Sequence, residues 1–451
     1  MVTKAQLSKL GLFDAKVPRY TSYPTAPHFN RDVDAAKYTS WIEAIQPGSQ
    51  ISLYVHVPFC RRLCWFCACR TQGTQSDKPV RAYLETLKSE LRKLAEHLPE
   101  GVTLSRLHWG GGTPTLLSPA MMEELAGAIR DVAPFTVQTE FSVEIDPNEI
   151  DGARLDALAA SGMNRASIGV QDFDEEIQQS IGRLQGYDIT RDAVEAIRER
   201  GVTSLNADIL YGLPHQTGAR ITESVQKLLS LNPDRVALYG YAHVPWMAKR
   251  QQLIPSDALP TPEERLELYD TARKLFLWDG YAEIGIDHFA TSDDGLSVAQ
   301  KSGQLRRNFQ GYTDDTAEVL IGVGASSISR FPQGYAQNAP ATGAHTGAIR
   351  EGRFSTARGH AFTAEDRMRS RMIETLMCDF RIDAEEIQTR FNVPKTELSK
   401  ILGQTAKAFD GLLDHDQHGL SIPPEARPLT RMIARSLDAY DLSKAGHSAA
   451  I

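Results

Sequence analysis

Four of the five cysteines lie within ten residues of one another, in the segment 60–69. Cys60, Cys64 and Cys67 follow the pattern C-x3-C-x2-C, and Cys69 comes two residues later. Thiolates are soft ligands that bind zinc or iron–sulfur centres, and a short loop with this spacing can wrap such a centre. Three thiolates on a four-iron cube would leave one iron open to a ligand from outside the protein. The loop therefore predicts a metal centre that can take part in chemistry.

A structural zinc site that uses all four cysteines is the alternative for this loop. Such a zinc site would be strained at Cys67 and Cys69, because ligands separated by a single residue crowd a tetrahedral centre. A disulfide framework is not expected, because we predict a cytoplasmic protein and thiols stay reduced there. Cys378 lies in an apolar segment with a helical pattern and is expected to serve packing only.

The charge balance and the hydropathy limit what the chain can bind. Lys and Arg number 49 against 57 Asp and Glu, which gives a net charge of -8. A general nucleic-acid binder or a protein of anionic membrane surfaces is therefore not expected. The first residues lack the charged start and apolar run of a signal peptide, and no stretch is long enough to span a bilayer. These features predict a cytoplasmic globular protein.

Short β-branched or aromatic runs alternate with helical patterns between residues 49 and 245, which indicates repeated βα units around a parallel sheet. The runs are 51–59, 104–109, 138–145, 165–170, 204–210 and 235–241. A polar or glycine-rich turn follows each run, and the cysteine loop is the first of these turns. Because sites form at the carboxyl ends of parallel strands, we expect the turns to meet on one rim.

Two further segments flank this alternating region. Before residue 45 lies an arm whose prolines argue against regular structure and whose aromatic residues and Arg19 suggest contact with a surface or a ligand. After Ala339 a connector rich in Gly, Thr and Ala leads to a helix-patterned segment that begins near Thr363. We predict an arm over 1–44, a catalytic domain over 45–340 and a small, mostly helical domain over 341–451.

Several of the turns carry residues suited to holding a ligand. Gly111 and Gly112 would let the backbone approach a ligand closely, although a plain tight turn explains them equally well. Glu144 could accept hydrogen bonds from ammonium or hydroxyl groups, and a solvated surface glutamate is the alternative. Arg183, which lies outside these turns, fits a surface helix.

The cysteine pattern resembles the cluster motif of radical S-adenosylmethionine (SAM) enzymes, and the surrounding segments resemble the oxygen-independent coproporphyrinogen III oxidases of that superfamily. The resemblance extends over nearly the whole chain and rests on PRYTSYPTAPHF, the C-x-C cysteine, WGGGTPT, EIDP, GVQDF, NADILYGLP, YAHVP, RRNFQGYT and ISRFPQGYAQN. It implies an α/β fold in which a partial (β/α)6-type radical SAM barrel lies between the N-terminal arm and the C-terminal domain.

The resemblance also implies roles for individual residues. Cys60, Cys64 and Cys67 would bind one 4Fe-4S cluster whose open iron chelates SAM. Cys69 would be a catalytic contributor rather than a cluster ligand, and a packed thiol is the alternative. Two SAM molecules are expected. One would contact Tyr54, Gly111, Glu144 and Ile328, and the other Phe66, Gly112, Thr113, Gln171, Arg183, Asp208 and Ala242.

The implied activity is the oxidative decarboxylation of two propionates of coproporphyrinogen III to vinyl groups by a 5′-deoxyadenosyl radical, which gives protoporphyrinogen IX. The enzyme would need an electron donor and an electron acceptor, and we expect a monomer. Arg19, Arg306 and Arg307 are candidates for pairing with the propionates, although solvated arginines are an equal alternative.

A haem-binding chaperone of the same superfamily is the rival interpretation. It would carry a similar cluster but transfer haem instead of catalysing decarboxylation. Such relatives typically lack the C-x-C cysteine and the PRYTSYPTA arm. Both features are present in this chain, and they favour the enzyme.

Overall fold

The computed structural model describes residues 3–409, 411–441 and 449–451. Its α-helices are α1 (Lys4–Lys9), α2 (Ala35–Glu43), α3 (Lys78–Ala95), α4 (Pro119–Val132), α5 (Gly152–Ala160), α6 (Glu175–Ser180), α7 (Tyr187–Glu199), α8 (Gly218–Leu229), α9 (Pro262–Trp278), α10 (Gly295–Lys301), α11 (Thr342–Arg350), α12 (Ala364–Asp379), α13 (Ala384–Phe391), α14 (Lys395–Ala408) and α15 (Thr430–Leu437). Its strands are β1 (Gln50–Val57), β2 (Phe59–Cys60), β3 (Gln72–Gly73), β4 (Thr103–Gly111), β5 (Phe135–Ile145), β6 (Arg165–Gln171), β7 (Ser204–Tyr211), β8 (Arg235–Gly240), β9 (Ala282–Ile284), β10 (His288–Ala290), β11 (Arg306–Asn308), β12 (Gly311–Thr313), β13 (Leu320–Val323), β14 (Ile328–Phe331), β15 (Gly334–Asn338), β16 (Thr356–Ala361), β17 (Arg381–Asp383), β18 (Asp414–Asp416) and β19 (Gly419–Ser421).

A twelve-stranded sheet forms the centre of the fold, in the order β16-β15-β14-β13-β1-β4-β5-β6-β7-β8-β10-β9. The six strands from β1 through β4 to β8 pair in parallel, each with the next. These are the six runs that the sequence predicted, and helices connect them. Because the strand order is linear and does not return to its start, the six βα units form a partial barrel. The predicted fold class is confirmed.

Each barrel strand turns alternate residues toward the helices and toward an internal cavity. In β1, Val55 and Val57 belong to the apolar core, whereas Tyr54 and His56 line the cavity. In β7, Asp208 lines the same cavity between two buried apolar neighbours. Side chains of a strand alternate between its two faces, and this alternation delivers polar groups to the inside of the barrel.

Short polar side chains begin the helices that connect the strands. Ser118, Thr217 and Thr261 each accept a hydrogen bond from the backbone N–H three residues ahead, at the start of α4, α8 and α9. Asp151 and Asp174 do the same for α5 and α6. Such caps satisfy backbone donors that the first turn of a helix leaves free, and they fix where each turn of the rim ends.

The C-terminal segment is mostly helical, as predicted, and α12 to α15 surround a second apolar core. A small sheet in the order β17-β19-β18 accompanies these helices. In the arm, the segment 17–29 has only a short 3-10 turn at Ala26–His28, but Tyr20 and Tyr23 are buried in the C-terminal core. The arm therefore packs on the C-terminal segment through its aromatic residues.

The large sheet continues past residue 340, where the sequence predicted the catalytic domain to end. β16 pairs with β15, and Phe354 lies in the same core as the barrel strands. The arm also contains two regular helices, α1 and α2. The division into an arm, a catalytic domain and a C-terminal domain stays a prediction. Among the residues that the structure describes, no helix has the length and apolar character needed to cross a membrane.

Candidate active site

The cysteine loop begins at the carboxyl end of β1 and is closed by a short strand pair. Cys60 lies in β2, which pairs in parallel with β3 at the far end of the loop. The backbone N–H of Trp65 donates to the carbonyl of Ile181 at 2.9 Å and holds the middle of the loop against the end of α6. Gly182 has a φ of 66°, and a Cβ there would lie 2.8 Å from the Trp65 ring. This close approach requires glycine.

The thiols of the loop differ in their protonation. A hydrogen bond from the Cys69 thiol is the main cause that lowers the pKa of Cys67 to about 6, and the same interaction raises the pKa of Cys69 well above its ordinary value. Burial raises the pKa of Cys60 to about 11. Cys67 therefore favours the thiolate that a metal ligand needs, whereas Cys69 keeps its proton.

Cys60, Cys64 and Cys67 line one cavity of about 190 Å³, the cysteine cavity. Within the described ranges, no three His, Cys, Asp or Glu side chains come close enough together to hold a single metal ion. Separated thiols around one cavity fit a 4Fe-4S cluster, because each thiolate then binds a different iron.

Gly111 and Gly112 bring the turn after β4 against the beginning of the cysteine loop. The backbone N–H of Gly112 donates to the carbonyl of Val57 at 2.8 Å, and a Cβ at Gly112 would lie 2.5 Å from the carbonyl oxygen of Phe59. Gly111 has a φ of 112°, and a Cβ there would lie 2.5 Å from the His56 ring. Neither position has room for a side chain.

Glu144 lies near the carboxyl end of β5 and is held by two groups of β4. Its carboxylate accepts a hydrogen bond from the backbone N–H of Gly111 at 3.0 Å and lies 3.3 Å from Nε2 of His108. Burial alone would raise the pKa of Glu144, but the interactions with His108 and Gly111 outweigh it, and the pKa lies below its ordinary value. Glu144 is therefore a charged acceptor that suits an ammonium or hydroxyl group.

A second polar group lies beside β6 and β7. Arg183 donates to the carbonyl of Gly169 at 2.9 Å and lies 3.4 Å from Asp146, while its buried Nε has no hydrogen-bond partner. Asp208 accepts a hydrogen bond from Asn206 at 2.9 Å, and burial raises the pKa of Asp208 to about 7. Arg183 thus supplies a fixed positive charge, and Asp208 can gain or lose its proton near neutral pH.

Most of the predicted site residues surround two adjoining cavities. The cysteine cavity is lined by Cys60, Cys64, Phe66, Cys67, Cys69, Gly111, Gly112, Thr113, Glu144, Gln171, Arg183 and Asp208. A larger cavity of about 610 Å³, the barrel cavity, is lined by Tyr54 and Ile328 and shares Cys69, Gly111, Glu144 and Asp208 with the cysteine cavity. The assignment of each residue to a ligand stays a prediction.

Ala242 lines neither of these cavities but a third one of about 140 Å³, the arginine cavity. Gln251 connects it to the cysteine loop, because its Nε2 donates to the carbonyls of Ala242 at 3.0 Å and Phe66 at 2.7 Å. Gln251 was not predicted from the sequence, and no motif around it signals the role. His108 was also missed, although it lies two residues before Gly110 on the inward face of β4, where strand alternation places a site residue.

Of the three arginines proposed as propionate partners, only two line the same cavity. Arg19 and Arg307 line the arginine cavity together. Arg306 lines none of the three cavities, and its Nη1 donates to the carbonyl of Leu305 at 2.9 Å. The structure therefore brings Arg19 and Arg307 together and leaves Arg306 outside.

Comparisons with known proteins identify the family of the chain. A family model described as the Radical SAM superfamily matches residues 54–228, and one described as the HemN C-terminal domain matches residues 362–429. An oxygen-independent coproporphyrinogen III oxidase from Paracoccus denitrificans is 68% identical over 451 residues, 100% of both chains. The Escherichia coli protein of the same name is 38% identical, over 95% of this chain and 94% of its own. The solved structure of the Escherichia coli coproporphyrinogen III oxidase (HemN), described as a radical SAM enzyme, matches with a TM-score of 0.90 and 36% identity, over 95% of this chain and 100% of that one. This chain therefore belongs to the family of oxygen-independent coproporphyrinogen III oxidases, within the radical SAM superfamily.

Proposed function

We propose that this chain carries out the oxygen-independent oxidative decarboxylation of two propionate side chains of coproporphyrinogen III to vinyl groups, which gives protoporphyrinogen IX in haem biosynthesis. The observation that carries the proposal is the gathering of three cysteine thiols, Gly111, Gly112 and Glu144 around one cavity at the carboxyl ends of the strands. The 68% identity to a coproporphyrinogen III oxidase over the full chain supports the same reaction.

Cys60, Cys64 and Cys67 would hold one 4Fe-4S cluster, and the thiolate character of Cys67 supports this role. When bound, the reduced cluster and SAM supply a 5′-deoxyadenosyl radical that takes a hydrogen atom from a propionate, after which carbon dioxide and one electron leave. The chain's own residues hold the reactants and limit access of water. We assign a catalytic role to Cys69, because it lines both the cysteine and the barrel cavity.

Two SAM molecules are part of the proposal. Their contact residues surround two adjoining cavities that share Gly111, Glu144 and Asp208. The first set, Tyr54, Gly111, Glu144 and Ile328, lines the barrel cavity. Of the second set, Phe66, Gly112, Thr113, Gln171, Arg183 and Asp208 line the cysteine cavity, and Ala242 is tied to Phe66 through Gln251. Glu144 suits the ammonium or ribose groups of one SAM, and Arg183 suits the carboxylate of the other.

The proposed setting is the cytoplasm, with a monomeric enzyme, an electron donor for the cluster and an acceptor for the electrons from the substrate. Nucleic acids and membranes are not proposed as partners. The net charge of -8 supports this, because such a chain has no general attraction to phosphate backbones or anionic lipids.

The direct experiment uses anaerobically purified, cluster-reconstituted protein. It is incubated with coproporphyrinogen III, SAM, a reductant and a cell extract that supplies the electron acceptor, and the tetrapyrroles are separated by chromatography. Vinyl-bearing products are expected. If the cluster is intact and SAM is present, yet the substrate returns unchanged while added haem binds tightly, the haem chaperone becomes the better interpretation.

Cys64→Ala provides a second experiment, with Cys378→Ala as its matched control. We expect Cys64→Ala to lose iron, acid-labile sulfide and deoxyadenosine formation, because one of the three thiolates that hold the cluster is gone. Cys378 is fully buried in α12, away from the cysteine loop, so Cys378→Ala should keep the cluster. A Cys64→Ala protein that still forms deoxyadenosine would contradict the assignment of the loop.

A further inference from the structure

The arginine cavity is strongly positive although the chain as a whole is negative. Among the residues that the structure describes, six arginine side chains line it, against the acidic side chains of Asp270, Glu283 and Asp287, and Ile451, the last residue of the sequence, also lines it. Glu283 is already shared by two of the arginines, because it lies 2.6 Å from Arg273 and 2.9 Å from Arg427. The remaining arginines face the cavity with little compensating charge.

Arg307 is the most informative of these side chains. Only 4% of it is exposed, and its Nε and Nη1 have no hydrogen-bond partner. The nearest acidic group is Asp287, at 3.7 Å from Nη2, and Asp287 also lies 2.7 Å from Nδ1 of His288. A buried guanidinium with free donors is costly unless a ligand satisfies them. Its position on the wall of a cavity therefore points to an anion.

Arg19, Arg265 and Arg431 also lack acidic partners in the described part of the chain, where no carboxylate side chain lies within 4.0 Å of them. They donate instead to backbone carbonyls, for example from Arg19 to Gly240 at 2.7 Å and from Arg265 to Tyr241 at 2.8 Å. The carbonyls of Gly240 and Tyr241 bring no negative charge, whereas Nε of Arg265 also donates, at 3.1 Å, to the main-chain oxygen of Ile451, the last residue of the sequence. Burial and then the charge of Arg19 lower the pKa of Arg431 to about 9, which agrees with an excess of positive charge.

The size and the position of the cavity indicate which anion fits. A volume of about 140 Å³ is small beside the roughly 300–1,000 Å³ of pockets that hold a whole organic ligand, so it suits one arm of a larger molecule. Tyr239 lines both the arginine cavity and the barrel cavity. The two cavities therefore adjoin at Tyr239, so a carboxylate arm that reached Arg307 from the barrel cavity would pass this residue.

We propose that the arginine cavity binds a propionate carboxylate of the tetrapyrrole substrate that does not react, with Arg307, Arg19 and Arg431 as its counter-charges. This inference rests on the proposed function and adds a specificity site to it. Two of the four propionates of coproporphyrinogen III keep their carboxylates, and such a charge in a buried site needs paired donors. The cavity would select tetrapyrroles that carry an anionic arm at this position and would fix the orientation of the other arms.

The test compares Arg307→Met with Arg306→Met, since Arg306 is the adjacent arginine whose guanidinium lies outside the cavity. We expect Arg307→Met to raise the KM for coproporphyrinogen III by about tenfold to a hundredfold, the usual effect of losing a charged hydrogen bond. The KM for SAM and kcat should change little, and Arg306→Met should behave like the wild type. Arg307→Lys, which keeps the charge but not the planar fork, should recover part of the loss.

Equal KM values for the tetrapyrrole in the two methionine variants would overturn the inference. So would a rise confined to the KM for SAM, because SAM also carries a carboxylate and Ala242, a predicted SAM contact, lines the same cavity. If Arg307→Met does not fold, Arg19→Met takes its place in the comparison of KM values with Arg306→Met. Arg19 is exposed, so its removal disturbs little packing.

Direct binding separates this inference from the proposed reaction. Fluorescence titration with coproporphyrin III, the stable oxidised tetrapyrrole, needs neither SAM nor turnover. A weaker affinity in Arg307→Met but not in Arg306→Met would support the site even if the wild type made no vinyl product. Equal affinity in both would overturn it even if the wild type were active.

Discussion

A guanidinium nitrogen of Arg183 lies 3.5 Å from Sγ of Cys64, at the edge of the cysteine cavity. The same nitrogen lies 3.4 Å from Asp146, and the other terminal nitrogen donates to Oε1 of Gln185 at 2.9 Å. These partners hold the positive charge beside Cys64, one of the proposed cluster ligands, before any substrate binds. The Nε of Arg183 stays without a partner although it is buried, so a donor remains free for a ligand carboxylate.

Arg183→Met should weaken the binding of SAM. A charged hydrogen bond contributes about 1.5–3 kcal/mol, so we expect the KM for SAM to rise by about tenfold to a hundredfold. The KM for SAM of Arg183→Lys should lie between those of the wild type and Arg183→Met, because lysine keeps the charge but cannot reach several acceptors at once. The measurement is deoxyadenosine release as a function of SAM concentration, with the iron content of each variant determined alongside.

Arg191→Met is the matched control for this series. Arg191 lies in α7, and 41% of its side chain is exposed, so its loss should leave the KM for SAM unchanged. An Arg183→Met protein with full iron content and an unchanged KM for SAM would show that Arg183 serves the structure of the loop and not the ligand.

Alanine at Gly112 should damage the site through its backbone. A Cβ there would lie 2.5 Å from the carbonyl oxygen of Phe59, which is backbone and cannot swing away. We expect Gly112→Ala to lower the free energy of unfolding by about 1–3 kcal/mol and to reduce cluster content, because Phe59 precedes the first cysteine ligand. Denaturant unfolding and iron analysis of the purified variant measure the two effects.

Gly127→Ala serves as the control for Gly112→Ala. Gly127 lies inside α4, and a Cβ there would meet nothing within 4 Å. Alanine is favoured over glycine inside helices by up to about 1 kcal/mol, so this variant should unfold at equal or higher denaturant concentration and keep its cluster. If both alanine variants behaved alike, close packing would not be the reason for glycine at position 112.

The sequence predicts the parts of this molecule that depend on local patterns. The six barrel strands follow from alternating β and helical patterns, and the position of the cysteine loop follows from its place after the first strand. Gln251 could not be predicted in this way, because its contacts with Phe66 and Ala242 depend on how a turn after β8 packs on a loop 185 residues earlier. The burial of Tyr20 and Tyr23 could not be predicted either, because they pack in a core whose other residues lie mostly in the C-terminal segment, far from them in sequence.

A buried acid–base pair lies behind the barrel, between α3 and α11. Oε2 of Glu90 is 3.4 Å from Nε2 of His345, and Glu90 also accepts hydrogen bonds from Asn338 at 2.7 Å and from the backbone N–H of Gly324 at 2.8 Å. Burial raises the pKa of Glu90 to about 7 and lowers the pKa of His345 to about 4. Both directions favour the neutral forms, so the proton resides on Glu90 in the folded protein at mildly acidic pH.

Glu90→Gln should change how stability depends on pH. The folded protein holds the proton of Glu90 up to about pH 7, whereas the unfolded chain loses it near its ordinary value of 4.5. The contribution of Glu90 to the free energy of unfolding is therefore full below pH 4.5 and is lost as the pH rises through 7. Glutamine imitates the protonated acid and cannot lose this contribution. The free energy of unfolding of Glu90→Gln relative to the wild type should rise by on the order of 3 kcal/mol between pH 4.5 and 7.

The opposite trend of His345, whose contribution grows as the pH rises from about 4 to 6.5, is present in both proteins and largely cancels from this difference. Denaturant unfolding at intervals of half a pH unit would measure the difference in free energy of unfolding between Glu90→Gln and the wild type. Glu85→Gln is the control. Glu85 lies on the same helix with 54% of its side chain exposed, and its difference from the wild type should stay within about 1 kcal/mol across the range. If the free energy of unfolding of Glu90→Gln relative to the wild type did not change with pH, the Glu90 carboxylate would already be charged in the folded protein. Its burial beside a neutral histidine argues against that outcome.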